Sequence, residues 1–401
     1  MEHDCIKTKY DGQPAKQFIT GLEVYPQSME LKVVMQKEIT TWLHRSLPLC
    51  MVLAFEKYLP WYYSNFIQVF SLTNERGYIE LNYLEPRDCC SEIVDMICLG
   101  YPLLKHVNNI VDYIIENINM GYYLIINADE YNLPNKWAYN KVHFVHPSLI
   151  YGYDNKEKQL KAIGFRQNVF EEITFDYSEF IQAFENGRIH YKDSAPWCEW
   201  SAIQLLRPKK FEMDYPFSNE RFVKELKNYL YSIGDSVKLY SFEYCEEGIE
   251  FGFQVHDVII RGLENLVEGK ITLDYRAIHL AAEHKKCIYD RIGYVISINN
   301  LTGEIVTLHQ KYSEVVRRFD LIRIRFLKDL KSFGNDNIYN PRVSNLTSEQ
   351  KSEIKNLIKK IRDLKTAEYD ILVEVFRQLE LSLNTNIKFS LGLGVDKNEK
   401  V

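Results

Sequence analysis

The sequence predicts an α+β fold, with an antiparallel sheet in the first half and a mostly helical second half. Two observations carry this. Residues 122–127 and 145–153 are short apolar runs bounded by turn residues, the pattern of buried strands. Beyond Arg207-Pro208-Lys209-Lys210 the composition shifts and apolar residues recur at helical spacing. A chain of 401 residues is long enough for two or three domains. The expected division is 1–208, a helical domain over 209–384, and a polar tail over 385–401.

Residues 1–45 mix strand-like and helical pieces and give no assignment. A helix is expected from Pro48 through LPLCMVLAFEKYL, because proline suits a first helical turn. The aromatic run at 58–63 could line a substrate groove but reads first as core packing. Residues 65–85 look extended, with a turn at Asn74 to Gly77, and Pro86 to Asp88 break the chain. An amphipathic helix is expected over 104–119, with Val107, Val111, Ile114 and Ile118 on one face and Gly121 closing it. Strands follow at 122–127, 145–153 and 159–165, the last two joined by a turn at 154–157. Residues 173–187 run from a strand end into a helix. Later helices are expected at 218–232, 255–268, 272–298 and 304–331. After a loop at 332–346, Thr347 and Gln350 open a last helix as a capping box, with an apolar stripe from Ile354 to Leu364.

The net charge of −6 is spread out and leaves no basic footprint for nucleic acid. The longest apolar run is too short for a membrane span. The first residues lack the apolar region of a signal peptide, so a cytoplasmic location is expected. The eight cysteines show no CxxC spacing and read as reduced thiols. His279 and His284, five apart on a helix, do not share a face, and no metal site is expected. Arg207 to Lys210 reads as a solvated linker.

The chemistry candidates centre on the segment 121–154. His146 opens a strand beside the mouth of the preceding loop, where an imidazole is placed to act as a base; His143 is its rival within the loop. A nucleophilic thiolate is stabilised at a helix amino end, which favours Cys50, two residues past Pro48. Cys89 and Cys90 are the rivals, and Cys5 lies in the unassigned terminus. The group orienting the imidazole is expected to be Asp129, at the end of the neighbouring strand, with Glu130 beside it. Asn168 and Gln167 on the return strand are alternatives. Asp154 is eight residues from His146, and a rise of about 3.3 Å per residue puts it near the far strand end.

The order Asp129-Glu130-Tyr131, Leu133-Pro134, Tyr139, His143, and His146 leading to Tyr151-Gly152-Tyr153-Asp154 resembles the amino-terminal domain of the butirosin biosynthesis protein H family. These are papain-like proteins of antibiotic and peptide assembly, related in fold to bacteriocin-processing cysteine peptidases and in chemistry to the amide-forming homologue of closthioamide assembly. The resemblance covers residues 48–191 and is specific around 121–154. It implies a papain-like cysteine acyltransferase with Cys50, His146 and Asp129 as the catalytic set. Such an enzyme moves an acyl group from the phosphopantetheine thioester of an acyl or peptidyl carrier protein to a small amine, with no cofactor of its own. The same machinery could hydrolyse as a peptidase, amidase or thioesterase, or the fold could persist as a non-catalytic scaffold. Two departures stand out. The return strand carries Ala162-Ile163-Gly164-Phe165 where processing peptidases place an aspartate, and Cys50 lacks the Gln, Gly or Trp company of many papain-type nucleophiles.

Overall fold

A computed structural model describes residues 25–73, 79–85, 89–167, 169–210, 215–234, 249–270, 275–332 and 346–383. Its centre is a seven-stranded antiparallel sheet formed by β1 (Ser28–Glu30), β4 (Val94–Leu99), β5 (Tyr123–Asp129), β6 (Val145–Asp154), β7 (Gln159–Arg166), β8 (Val169–Asp176) and β9 (Ile203–Pro208). The order is β4-β9-β5-β6-β7-β8, and β1 pairs with the far end of β6, where β5 has stopped. Strands β2 (Val69–Thr73) and β3 (Ile79–Tyr83) form a separate small sheet.

β5 is buried along its whole length, as its unbroken apolar run implies for a strand with neighbours on both edges. One of those neighbours differs from expectation. Arg207 and Pro208, read as linker, end strand β9, which lies between β4 and β5. Arg207 pairs with Asp95 on β4, and its guanidinium stacks over Tyr122.

The helix expected from Pro48 begins earlier, as α1 (Leu43–Val52), with Pro48 inside it. The amides of Arg45 and Ser46 both donate to the Trp42 carbonyl, which closes the first turn before the proline is reached. Trp61 and Tyr62 of α2 (Leu59–Ser64) are core residues. The helix expected over 104–119 is split. A 3-10 turn at Tyr101–His106 comes first, and α3 (Ile110–Asn119) starts where the Asn109 side chain accepts from the Val111 amide. Its end follows the sequence: Gly121, at φ +83°, donates to Ile118 O while Tyr122 donates to Asn117 O, a Schellman closure.

The sheet separates two apolar layers. Leu124, Ile126, Ile150 and Ala162 pack with α3 and with α4 (Tyr177–Ser194). Ile125, Leu149, Tyr151 and Ile163, alternating with them, pack with α1 and the helical half. The helical half comprises α5 (Asn219–Leu230), α6 (Val255–Glu268), α7 (Tyr275–Ile298), α8 (Glu304–Ser332) and α9 (Ser348–Leu383). These bounds match the expected helices closely. Thr347 and Gln350 exchange both capping-box bonds at the start of α9. A single apolar cluster runs across residue 208, and β10 (Glu250–Phe251) adds to β2.

The helical half encloses a buried polar centre. Glu368 of α9 accepts from Lys285 Nζ at 2.9 Å, Tyr312 OH at 2.9 Å and Tyr229 OH at 3.2 Å, and meets His256 Nε2 at 3.0 Å. Burial alone would raise the Glu368 carboxyl, but Lys285 and then His256 outweigh it and hold it below the usual range. Burial also lowers the Lys285 ammonium, opposed by Glu368.

Candidate functional site

The site forms where β5 ends. Asp129 is its last residue and also caps a 3-10 turn, Glu130–Asn132. Strand alternation stops there, so two successive carboxylates reach two different histidines. Asp129 is fully buried, and both of its oxygens are engaged. Oδ1 accepts from the Tyr131 amide at 3.1 Å and the Phe144 amide at 2.9 Å, and Oδ2 meets His143 Nδ1 at 2.6 Å. Glu130 Oε1 meets His146 Nδ1 at 2.9 Å and Lys136 Nζ at 3.4 Å.

The expected pairing of Asp129 with His146 is therefore corrected: Asp129 holds His143, and Glu130 holds His146. A carboxylate can only accept, so each histidine donates from Nδ1, and in the neutral ring this leaves Nε2 as the acceptor. The imidazoles reach solvent, with His143 39% and His146 26% exposed, while their acids do not. Burial would raise Glu130, but His146 and then Lys136 more than offset it and hold it below the ordinary value. Burial lowers Lys136 itself, against the pull of Glu130. Lys136 also donates to Ser148 Oγ at 3.3 Å.

The loop between the strands is pinned in place. Glu130 N bonds Phe144 O, Asn140 N bonds Tyr131 O, and Gln167 N reaches Asn135 O. Asn135 and Asn140 take left-handed conformations at φ +66° and +54°, which asparagine tolerates well. Tyr131 lies 4.5 Å from the His143 ring centroid on one side. His190, from α4, stacks on His143 at 3.7 Å with planes 9° apart. The plane of His143 is thus fixed by two rings and its tautomer by a buried acid.

Asp129, His143 and His190 bring one ligand atom each within 4.8 Å of one another. Their ring geometry opposes coordination as it stands. Two imidazoles sharing one ion at about 2.0–2.1 Å per bond have centroids about 5 Å apart and converging planes. A parallel stack at 3.7 Å has neither property.

Cys50 does not join this site. It occupies the eighth position of the ten-residue α1, not its first turn, so the amino-end stabilisation expected for a thiolate is absent. Its Sγ donates to Ser46 O, and burial pushes the thiol up to about 12. Cys50 belongs to the same apolar layer as Leu149 and Tyr151, on one face of the sheet. His146 alternates in phase with Ser148 and Ile150, and Ile150 belongs to the opposite layer. The sheet lies between thiol and imidazole.

The other candidates scatter. Asp154 sits at the far end of β6 and caps the turn through the Lys156 and Glu157 amides. Gln167 anchors the loop through Asn135 O and Lys136 O. Cys90 is buried in a 3-10 turn. Asn168, Cys5 and the Cys89 side chain lie outside the described residues. His279 meets Glu283, and His284 meets Ile67 O, so the two helical histidines serve different partners. His190 and Lys136 were missed in the sequence. His190 lies on a helix far downstream with no local signal, while the acidic pair 129–130 facing histidines 143 and 146 was the available clue to two dyads.

Among the helices described, none is long and apolar enough to cross a membrane. No family model matches the chain, and no curated protein is significantly similar to it.

Proposed function

We propose that this chain transfers an acyl group from a carrier-protein thioester to a small amine by general-base catalysis at His143, without an enzyme thiol. The observation that supports this reading is the Asp129–His143 dyad, in which a fully buried acid orients a solvent-reaching imidazole at 2.6 Å. The thioester donor comes from the family resemblance of segment 121–154. In this scheme the amine nitrogen attacks the thioester carbonyl carbon and forms the C–N bond. His143 Nε2 takes the proton from that nitrogen. The C–S bond then breaks, and His143 returns the proton to the departing carrier thiolate.

The test incubates the protein with an acylated carrier protein and an amine, and measures amide by mass. H143Q should lower amide formation by about 10²–10⁴-fold, while C50A stays within a few-fold of the native protein. Loss of activity in a folded C50A, or an unaffected H143Q, overturns this assignment. Free acid as the sole product points to hydrolysis. The position of Cys50, buried across the sheet from His146, favours a second reading as a non-catalytic scaffold. An absence of both amide and acid would select it.

A further inference from the structure

Helices α8 and α9 run antiparallel: Tyr312 meets Glu368, and thirteen residues further along α8, Arg325 meets Glu353. Their apolar stripes bury Val315, Phe319 and Phe326 against the helical core together with Ile354 and Ile361. A groove of about 260 Å³ opens between the two helices. Its apolar lining is the exposed Leu321, with Ile322, Leu357 and Leu364 buried beneath it. Leu321 is 51% exposed, and Ile324 on the next turn is also exposed. Its lips carry Arg317, Arg318, Arg325 and Lys360, against one acid, Glu314.

Two of these cations are spoken for, Arg317 by Glu314 and Arg325 by Asp329 and Glu353. Arg318 lies close enough to Glu314 to help Arg317 hold that carboxyl below its ordinary value, and Lys360 makes no ion pair among the described residues. An excess of positive charge beside the exposed Leu321 is the complement of an acidic and apolar ligand. The groove is smaller than a typical small-molecule pocket of about 300–1,000 Å³. From Arg317 to Arg325 the α8 wall spans roughly 12 Å, two turns of helix at 1.5 Å per residue. Those dimensions suit the side chains of one docked helix.

We propose that the α8–α9 groove docks an amphipathic helix of a partner protein, its apolar side chains against the exposed Leu321 and flanking Glu or Asp on Arg318 and Lys360. This surface is remote from the Asp129–His143 dyad in sequence, and the proposal stands or falls independently of the acyl-transfer reading.

The probe is a fluorescein-labelled helical peptide with leucines at i, i+4 and i+7 flanked by glutamates. A scrambled peptide of equal composition serves as control. Anisotropy should show saturable binding of the first peptide that weakens at high salt. The double variant R318E/K360E should weaken it about tenfold or more, and L321S should also weaken it. These side chains are on the surface, and thermal midpoints check that each variant is folded. Absence of binding, equal binding of the scrambled peptide, or undiminished binding by the charge-reversed variant would overturn the proposal. So would charge-dependent sedimentation with vesicles of phosphatidylglycerol and phosphatidylcholine in the absence of peptide binding, which would assign the surface to a membrane.

Discussion

Replacing Glu368 by glutamine keeps the shape of the side chain and removes the anion from the centre of the helical half. Lys285 Nζ, 2.9 Å away and almost fully buried, then has only neutral partners, with Tyr229 OH at 2.7 Å. Breaking a buried pair in this way costs about 3–5 kcal/mol. The structure sets a ceiling of similar size, because Lys285 can escape by shedding its proton. At pH 7, against its ordinary value of 10.5, that is three and a half pH units at about 1.36 kcal/mol each, or about 4.8 kcal/mol. E368Q should therefore lose about 3–5 kcal/mol in urea unfolding followed by far-ultraviolet circular dichroism. The deficit should narrow between pH 7 and 9. The unfolded chain gives up its Lys285 proton more easily as pH rises, so a folded state holding a neutral lysine is penalised less. Adding K285M removes the orphaned cation and should recover at least half of the loss. A single variant within about 1 kcal/mol of the native protein, or a double variant less stable than E368Q, would refute the argument.

Two further outcomes follow from the same chemistry. With its thiol pushed up to about 12 from an ordinary 9.0, Cys50 holds about a thousandfold less thiolate at pH 8 than an unperturbed cysteine. Peptide mapping after iodoacetamide treatment of the native protein should show the exposed Cys98 modified well before Cys50, and comparable rates at the two would contradict the burial. Glu130, Glu283 and Glu368 all lie below their ordinary 4.5, so the stability they contribute is fully present above that pH and is lost progressively as pH falls from there through their lower folded values. Thermal midpoints measured from pH 7 to 3 should fall steeply below about 4.5, and a flat profile would show that these carboxylates are not held as described.

Local signals in the sequence located what local forces decide. The apolar run of β5, the left-handed closure at Gly121 and the Thr347–Gln350 cap are set by residues a few positions apart. The start of α1 escaped notice because Trp42 closes its first turn without a side-chain cap, and Pro48 looked like a beginning. Strand β9 was hidden because its edge neighbour β4 lies about a hundred positions earlier and its charged end mimics a linker. At the site, the sequence singled out Asp129 and His146 as partners, with His143 as a rival base and Glu130 only as a neighbour of Asp129, and so joined Asp129 to the wrong histidine. The observed pairing depends on the 3-10 turn after Asp129, which releases Glu130 from the strand's alternation. The separation of Cys50 from His146 depends on which face of the sheet each residue takes. A nucleophile and a base chosen by residue type alone carry no information about that.

The position of Glu368 in the final helix has a consequence for how the chain is made. His256 precedes its carboxylate by 112 residues, and Tyr229 by 139. During synthesis, α6 and α7 emerge first, with His256 and Lys285 lacking their counter-ion while α8 and the residues before α9 are still being added. The expected outcome is that the helical half stays open to water until α9 arrives, because closing it earlier would bury the Lys285 ammonium without its counter-ion. Nascent chains stalled before residue 368 should therefore be cut by protease throughout 219–332, and chains stalled well beyond it should be protected.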